Sequence, residues 1–239
     1  IFKNVLGIKK DEPTLVVICF SMGVWVAGMF TLFACRYLRE KKGYNLTIFT
    51  PGLEKEDTFN ILQEIYPKFK SMVLVGYPPF VMDIVVEAKK RKILLKNNIS
   101  VLTAGDKFTE TWRESLRKLL QQKDKNSIVN VYGSADAGVM GYETPLSMYL
   151  RNALAKSKTL RKTLSVSKDT TPSLFQYNPR DIMFEEEAGE LVITVDTAVP
   201  LIRYNTHDTG TVWNYEHIIS ALDKAGLKKE AVKNGLKEW

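Results

Sequence analysis

The feature that most constrains the fold is a series of short, uniformly apolar runs that alternate with helical stretches. Runs of this kind, which do not alternate apolar with polar positions, are typical of strands buried on both faces of a parallel sheet. They span residues 15–20, 46–49, 72–75, 101–102 and 128–132. Between them, two apolar stripes have helical spacing, at residues 81, 84, 85 and 88 and at residues 112, 116, 119 and 120. The pattern predicts an α/β fold, with a wound, mostly parallel sheet flanked by helices.

The character of the chain changes after Gly138. Residues 145–156 have a helical pattern, and residues 157–173 are polar and basic, which indicates a loop or an insertion. Four strand-like runs follow, separated by Asn-Pro, Ala-Gly and Val-Pro breaks, at residues 174–177, 182–184, 191–195 and 201–204. We therefore predict three segments: an α/β subdomain over 1–138, a helix and basic loop over 139–172, and a small β-rich subdomain with a C-terminal helix over 173–239.

Residues 15–35 carry no charge and are flanked by basic residues, so they satisfy the length rule for a membrane span. A buried strand that leads into a buried helix explains the same residues, with Ser21 as a helix cap and glycines at 23 and 28. We favour the strand and helix, and expect no membrane partner. Cys19 and Cys35 lie in apolar runs without metal-binding spacing, which indicates buried, reduced thiols and a cytoplasmic protein.

The balance of 34 Lys and Arg against 27 Asp and Glu gives a net charge of +7. This charge suits an anionic ligand or an ordinary soluble surface. The densest basic runs, 89–92 and 156–168, lack the interleaved aromatic residues of a single-strand binding platform, and no nucleic-acid motif accompanies them. We expect no nucleic-acid partner.

Two segments at predicted strand ends carry residues suited to a ligand. Residues 132–138, Tyr-Gly-Ser-Ala-Asp-Ala-Gly, follow a strand, where small residues allow the backbone to approach a ligand. Residues 189–194, Gly-Glu-Leu-Val-Ile-Thr, precede a segment over 200–210 that contains Asp208. Each segment alone is weak, because glycine-rich turns also serve packing and an aspartate before Thr-Gly also caps turns.

Taken together, about seventy residues apart, the two segments resemble the adenylate-forming superfamily. In that family a Tyr-Gly-Ser/Leu-(Thr/Ser)-Glu turn contacts AMP and magnesium, and a Gly-Glu-Leu-Val-(Ile/Val)-Thr strand precedes a Tyr-Arg-Thr-x-Asp ribose motif. Residues 103–106, Thr-Ala-Gly-Asp, look like the family's Gly-Gly-Glu adenine-side turn. Residues 20–23 and 76–80 resemble the phenylacetate-CoA ligase branch, and the likeness extends to Trp213.

The resemblance implies a role for each matching residue. The nucleotide would be bound by Ala104, Gly105, Asp106, Tyr132, Gly133, Ser134 and Asp208. Tyr132 would stack on adenine, and Asp208 would accept both ribose hydroxyls. Asp136 stands where the family has the Glu that binds Mg²⁺, and it is one methylene shorter; Asn205 replaces the family's usual Arg. An acyl pocket would be formed by Phe20, Trp25, Tyr77 and Phe80, although such aromatics are also typical of plain core.

The activity implied by the resemblance is ATP-dependent activation of a carboxylic acid. The carboxylate attacks the α-phosphate of ATP, which gives an acyl-adenylate and pyrophosphate, and CoA then takes the acyl group as a thioester. ATP or AMP, Mg²⁺ and CoA are the implied cofactors, and a small-molecule carboxylic acid is the implied partner. A homodimer is a further hypothesis, and no catalytic residue is assigned.

Two parts of the family pattern are absent from the sequence. It contains no Gly/Ser/Thr-rich phosphate loop ending in Lys, and after Trp213 it does not continue into a Gly-Arg-x-Asp hinge and the small domain with the catalytic lysine. We therefore expect the 239-residue chain alone not to complete acyl-CoA synthesis.

Two alternatives stay open. Residues 19–23, Cys-Phe-Ser-Met-Gly, approximate the nucleophile elbow of α/β-hydrolases, with Cys19 in place of the first glycine and Ser21 as nucleophile. Only His207 and His217 could then act as the base. The second alternative is a non-catalytic remnant that binds an adenylate.

Overall fold

The computed structural model describes residues 1–23, 25–169 and 171–236 of the chain. By its internal contacts the chain divides into two compact units, Ile1–Gly138 and Val139–Trp239. The three-segment division of the sequence analysis stays a prediction.

The first unit is built on parallel strands. These are β1 (Thr14–Cys19), β2 (Leu46–Phe49), β3 (Ser71–Gly76), β4 (Ile99–Ala104) and β5 (Ile128–Ser134). β1 pairs with β2 and with β3, β3 also pairs with β4, and β4 also pairs with β5. All four pairs are parallel. The six-stranded order is β2-β1-β3-β4-β5-β6, in which β6 (Gly138–Tyr142) begins at the last residue of the first unit. The predicted fold class, a wound and mostly parallel α/β sheet flanked by helices, is confirmed.

Helices connect these strands. They are α1 (Val26–Lys42), α2 (Lys55–Asn60), α3 (Pro78–Lys90) and α4 (Glu110–Leu119), and α2 continues through a π-helical turn (Ile61–Ile65) and a 3-10 turn (Tyr66–Lys68). Two prolines begin α3, where a missing N–H costs nothing. The Thr109 hydroxyl caps α4 by accepting the Trp112 N–H at 3.1 Å.

The core of the first unit lies between the sheet and these helices. The stripe at residues 81, 84, 85 and 88 is fully buried, as its spacing predicts. Leu116 in α4 and Leu120, directly after it, are also buried. Trp112 and Leu119 are partly buried against the same cluster.

The uncharged run 15–35 becomes strand β1 followed by the first part of α1. In the part of the chain that the structure describes, no helix is both long enough and apolar enough to cross a membrane. The side of α1 that faces the core is narrow, with Gly28 and Cys35 buried. The opposite side, which we call the aromatic face of α1, is exposed and consists of Val26, Phe30, Phe33 and Tyr37.

The second unit combines helices with an antiparallel sheet. Its helices are α5 (Pro145–Lys156), α6 (Lys158–Thr163), α7 (Tyr215–Lys224) and α8 (Lys228–Lys233), and its sheet is formed by β7 (Ile182–Glu187), β8 (Glu190–Val195) and β9 (Leu201–Thr209) in that order. The small β-rich subdomain of the prediction is therefore present.

Three details of the second unit differ from the sequence analysis. The basic loop contains helix α6, because Ser157 caps it and Leu160 and Leu164 are buried. The run 174–177 forms only one bridge, in which Gln176 exchanges two backbone hydrogen bonds with Tyr142. The C-terminal helical region is two helices, α7 and α8, because Gly226 between them has a φ of +69°.

Candidate functional site

The parallel pairing of the first unit brings the carboxyl ends of four strands to one edge of the sheet. Cys19, Gly76, Thr103 and Asn130 lie in a single register row across β1, β3, β4 and β5. Phe20, Tyr77 and Ala104 each come one residue after this row, and Tyr132 comes two residues after it. We call this region the carboxyl edge. Ligands of wound α/β sheets bind at such an edge. Phe20, Tyr77, Ala104 and Tyr132 lie there, and their binding roles stay predictions.

At the carboxyl edge, Tyr77, predicted to contact the acyl group, is in direct contact with Asp106, predicted to contact the nucleotide. The Tyr77 hydroxyl donates a hydrogen bond to Asp106 Oδ2 at 3.0 Å. Asp106 Oδ1 accepts the backbone N–H of Lys107 at 2.7 Å, so both carboxylate oxygens are hydrogen-bonded. The hydrogen bond to Asp106, followed by the negative charge of that carboxylate and by partial burial, raises the pKa of Tyr77 above its ordinary value. The hydroxyl therefore remains a donor at physiological pH.

Gly105 forms the turn that presents Asp106. Its φ of +88° is in the region that favours glycine, because a Cβ would crowd the backbone there. A Cβ at Gly105 would also lie 3.5 Å from Cδ2 of Tyr77, so the phenol ring lies against the turn. Tyr77, which follows β3, thus covers the Gly105–Asp106 turn, which follows β4.

Two buried polar residues support the same turn from inside the sheet. The Asn130 side-chain amide donates to the backbone carbonyl of Asp106 at 3.0 Å. Thr103 donates its hydroxyl to Asn130 Oδ1 at 2.9 Å, which fixes the orientation of the amide. Asn130 is not among the residues predicted from the sequence, where its signal is a polar residue inside an apolar strand run.

The second predicted turn begins within β5 and continues past its end. Tyr132 is half-buried, Gly133 is exposed, and the Ser134 hydroxyl accepts the backbone N–H of Ala137 at 3.0 Å. Asp136 is exposed. In the ranges that the structure describes, no group of three or more His, Cys, Asp or Glu side chains could hold a metal ion. Mg²⁺ is often bound by one or two carboxylates together with phosphate and water, so Asp136 fits as a single ligand, and its role stays a prediction.

The four residues predicted for the acyl group have different environments. Phe20 is buried, and Phe80 packs against the main core of the unit. Trp25, at 72% exposed, and Tyr77, at 41% exposed, both offer aromatic surface to solvent. Two depressions in this unit, of about 260 and 290 Å³, are lined by none of these residues. The acyl-binding role of the four residues stays a prediction.

Asp208, the predicted ribose ligand, lies in the second unit near the end of β9 and is exposed. β9 is irregular: its register against β8 shifts, and Arg203 and His207 have positive φ values of 49° and 58°. The Thr206 hydroxyl donates to the Leu191 carbonyl at 2.9 Å and accepts the Asp208 N–H at 3.3 Å. The backbone at Asp208 is therefore fixed by a side chain rather than by a regular strand ladder.

The hydrolase alternative has little support in the geometry of β1 and α1. A nucleophile elbow requires a strained turn directly between strand and helix. Here α1 begins only at Val26, and Ser21 is not among the described residues with positive φ. Cys19 offers no substitute nucleophile, because burial raises its pKa to about 12.

The fold is similar to that of a solved acyl-CoA ligase. The structure is similar to 2-hydroxyisobutyryl-CoA ligase in an open conformation in complex with 2-HIB-AMP and CoA, with a TM-score of 0.56 and 12% identity over 85% of this chain and 44% of that chain. The same ligase in the thioesterification state, also with 2-HIB-AMP and CoA, gives a TM-score of 0.56 at 12% identity over 85% of this chain and 39% of that chain. The chain therefore spans less than half the length of these ligases.

No protein-family profile matches the sequence, and no curated protein matches it. At 12% identity the structural likeness establishes the fold alone. The resemblance to the adenylate-forming superfamily is confirmed at that level, and the likeness to the phenylacetate-CoA ligase branch stays a prediction.

Proposed function

We propose that this chain is part of an ATP-dependent acid–CoA ligase that activates a carboxylic acid as its acyl-adenylate and transfers the acyl group to CoA. The observation that supports the proposal is the carboxyl edge, where Tyr77 and the Gly105–Asp106 turn follow β3 and β4, and Tyr132 lies near the carboxyl end of β5. This edge belongs to a fold whose solved relatives include a ligase with an acyl-AMP and CoA bound.

Each predicted residue has a chemical task in this proposal. Tyr132 offers an aromatic face for adenine, and Gly133 has no side chain to obstruct the approach of the nucleotide to the backbone. Asp208 in the second unit accepts hydrogen bonds from the ribose hydroxyls. Aromatic surface at Tyr77 and Trp25 favours an aryl or other apolar acid, as in the phenylacetate-CoA ligase branch.

Charge neutralisation has a separate place in the proposal. Asp136 would hold Mg²⁺, which when bound lowers the charge repulsion between the phosphates and the attacking carboxylate.

The cytoplasm is the proposed location, because Cys19 and Cys35 are both buried free thiols. A homodimer remains a hypothesis.

The proposal predicts that AMP binding depends on the aromatic face of Tyr132. We expect Tyr132→Ala to weaken AMP binding by roughly five- to hundredfold, because stacking of a base on an aromatic side chain is worth about 1–3 kcal/mol. Tyr132→Phe keeps the ring and is expected to bind AMP as the wild-type chain does. Isothermal titration calorimetry of the purified chain measures both.

Equal affinity of the wild-type chain and the Tyr132→Ala variant would contradict the stacking role. Absence of AMP binding by the wild-type chain would contradict the proposed function as a whole. Acid-dependent exchange of pyrophosphate into ATP, measured on the longest polypeptide that contains this chain, separates a ligase from a non-catalytic adenylate-binding protein. Binding without exchange would support the latter.

A further inference from the structure

We propose that Tyr77 is a positioning residue for the nucleotide, acting through the hydrogen bond from its hydroxyl to Asp106. This inference rests on the proposed function. It gives Tyr77 a second task besides offering aromatic surface to the acid, and it makes nucleotide affinity depend on a residue that follows a different strand from the nucleotide-side turn.

The side chain of Asp106 is engaged within the carboxyl edge. Oδ2 accepts the Tyr77 hydroxyl at 3.0 Å, and Oδ1 accepts the N–H of Lys107 in the same turn at 2.7 Å. A carboxylate held on both oxygens holds its own loop in place. We therefore assign Asp106 to the shape of the turn, and the exposed backbone of the turn to contact with the nucleotide.

The turn is held from two directions. Below it, Asn130 donates to the Asp106 carbonyl at 3.0 Å and fixes the main chain. Above it, Tyr77 fixes the side chain and lays its ring against Gly105. Asn130 itself is buried, whereas Tyr77 is 41% exposed. The upper contact is therefore the one that a bound ligand can reach.

This arrangement links the two halves of the proposed site. The Tyr77 ring is the proposed contact for the acid, and its hydroxyl is bonded to the turn proposed to contact the nucleotide. An acid that packs on the ring would therefore also restrict the hydroxyl. Ordering of the turn by one ligand lowers the entropic cost of binding the other. The link predicts that an aromatic acid raises the affinity for AMP, and that this effect requires the hydroxyl.

A double-mutant cycle tests the inference on the 239-residue chain. We expect Tyr77→Phe to weaken AMP binding about three- to tenfold, since a net hydrogen bond is worth about 0.5–1.5 kcal/mol. In the Asp106→Ala background the same substitution should have no further effect. In the Asp106→Asn background, where an acceptor oxygen is kept, Tyr77→Phe should still weaken binding.

The controls separate positioning from a general loss of structure. Tyr37→Phe removes a hydroxyl from an exposed tyrosine of the same unit, on the aromatic face of α1, and it should leave AMP affinity unchanged. Phenylacetate, as a probe acid, should raise AMP affinity in the wild-type chain and not in Tyr77→Phe. Equal AMP affinity of wild type and Tyr77→Phe, or equal effects of Tyr77→Phe with and without Asp106, would overturn the inference while leaving AMP binding itself intact. If the wild-type chain binds no AMP, the proposed function fails and the inference fails with it.

Discussion

Gly105 occupies a position that demands its residue type for two reasons. Its φ is +88°, and a Cβ would lie against the Tyr77 ring. We expect Gly105→Ala to lower the free energy of unfolding by about 1–2 kcal/mol, the cost of a left-handed backbone for an L-residue. Because the backbone relaxes away from that conformation, the variant should also bind AMP more weakly. Urea unfolding and calorimetry measure the two effects.

Gly7 provides the matched control for this substitution. It has a similar φ of +66°, lies in the same unit, and has open space where a Cβ would be placed. Gly7→Ala should therefore cost comparable stability and leave AMP affinity unchanged. An equal loss of AMP affinity in both variants would show that Gly105 acts only through stability.

The residues of the carboxyl edge differ in how far the sequence reveals them. Tyr132 and Gly105 are recognisable because each belongs to a short motif after an apolar run. The Tyr77–Asp106 contact is not recognisable, because it depends on β3 and β4 being neighbours in the sheet. Strand order is set by packing of the whole unit and leaves no local signal. Asn130 stands out as a polar residue in an apolar run, but its contact with the Asp106 turn depends on that strand order and could not be predicted.

Helix α1 has its small residues toward the core and its aromatic residues outward. A Cβ at Gly28 would lie 2.6 Å from the Ser21 carbonyl oxygen and 2.8 Å from Sδ of Met22. Helix propensity alone predicts that Gly28→Ala stabilises by about 1 kcal/mol. We expect the opposite, a loss of about 1–3 kcal/mol in the free energy of unfolding, because overpacking displaces backbone. Urea denaturation shows whether Gly28→Ala raises or lowers the free energy of unfolding.

Phe33, on the aromatic face of the same helix and 55% exposed, gives the comparison. Phe33→Ala deletes far more side chain than Gly28→Ala adds. It should nevertheless change the free energy of unfolding by about 0.5 kcal/mol or less, as is usual for surface substitutions. A larger cost at Phe33 than at Gly28 would mean that the outer face of α1 is covered.

Elements were predictable from the sequence where one physical signal dominates. The apolar runs at 15–20 and 128–132 lie within one or two residues of β1 and β5, because buried parallel strands must be apolar throughout. Helix α6 was missed because its six residues are mostly polar, and it is held by the burial of Leu160 and Leu164. Tertiary burial of this kind has no counterpart in local composition.

The stability of the molecule should fall steeply in alkali. Burial raises the pKa of Cys19 and of Cys35 from 9.0 to about 12, and burial likewise raises the pKa of Tyr66 to about 12. Between about pH 9 and 12 the unfolded chain releases thiol protons that the folded chain retains, so the unfolded state gains stability. Each thiol should lower the free energy of unfolding by about 1.4 kcal/mol per pH unit across that window, and by nothing below it.

Urea unfolding at a series of pH values between 8 and about 11 measures this slope. The Cys19→Ala/Cys35→Ala double variant starts from a lower stability, so the comparison concerns the slope and not the baseline. We expect a shallower decline in the double variant. If the free energy of unfolding fell equally steeply with pH in the wild type and the double variant, the thiols would be ionisable in the folded state.

The pairing of β1 with β3 has a consequence for the order of events during synthesis. Thr14 and Ser71 lie side by side in the sheet but are 57 residues apart in the chain. At a translation rate of about 5–20 residues per second, roughly 3–11 s pass between the synthesis of β1 and the synthesis of β3, which pairs with the second edge of β1. Throughout that interval the nascent chain exposes an apolar strand and the uncharged segment that follows it, and unpaired edges of this kind associate with other strands. β1, which is buried throughout in the finished protein, thus spends that interval on the ribosome with one edge unpaired.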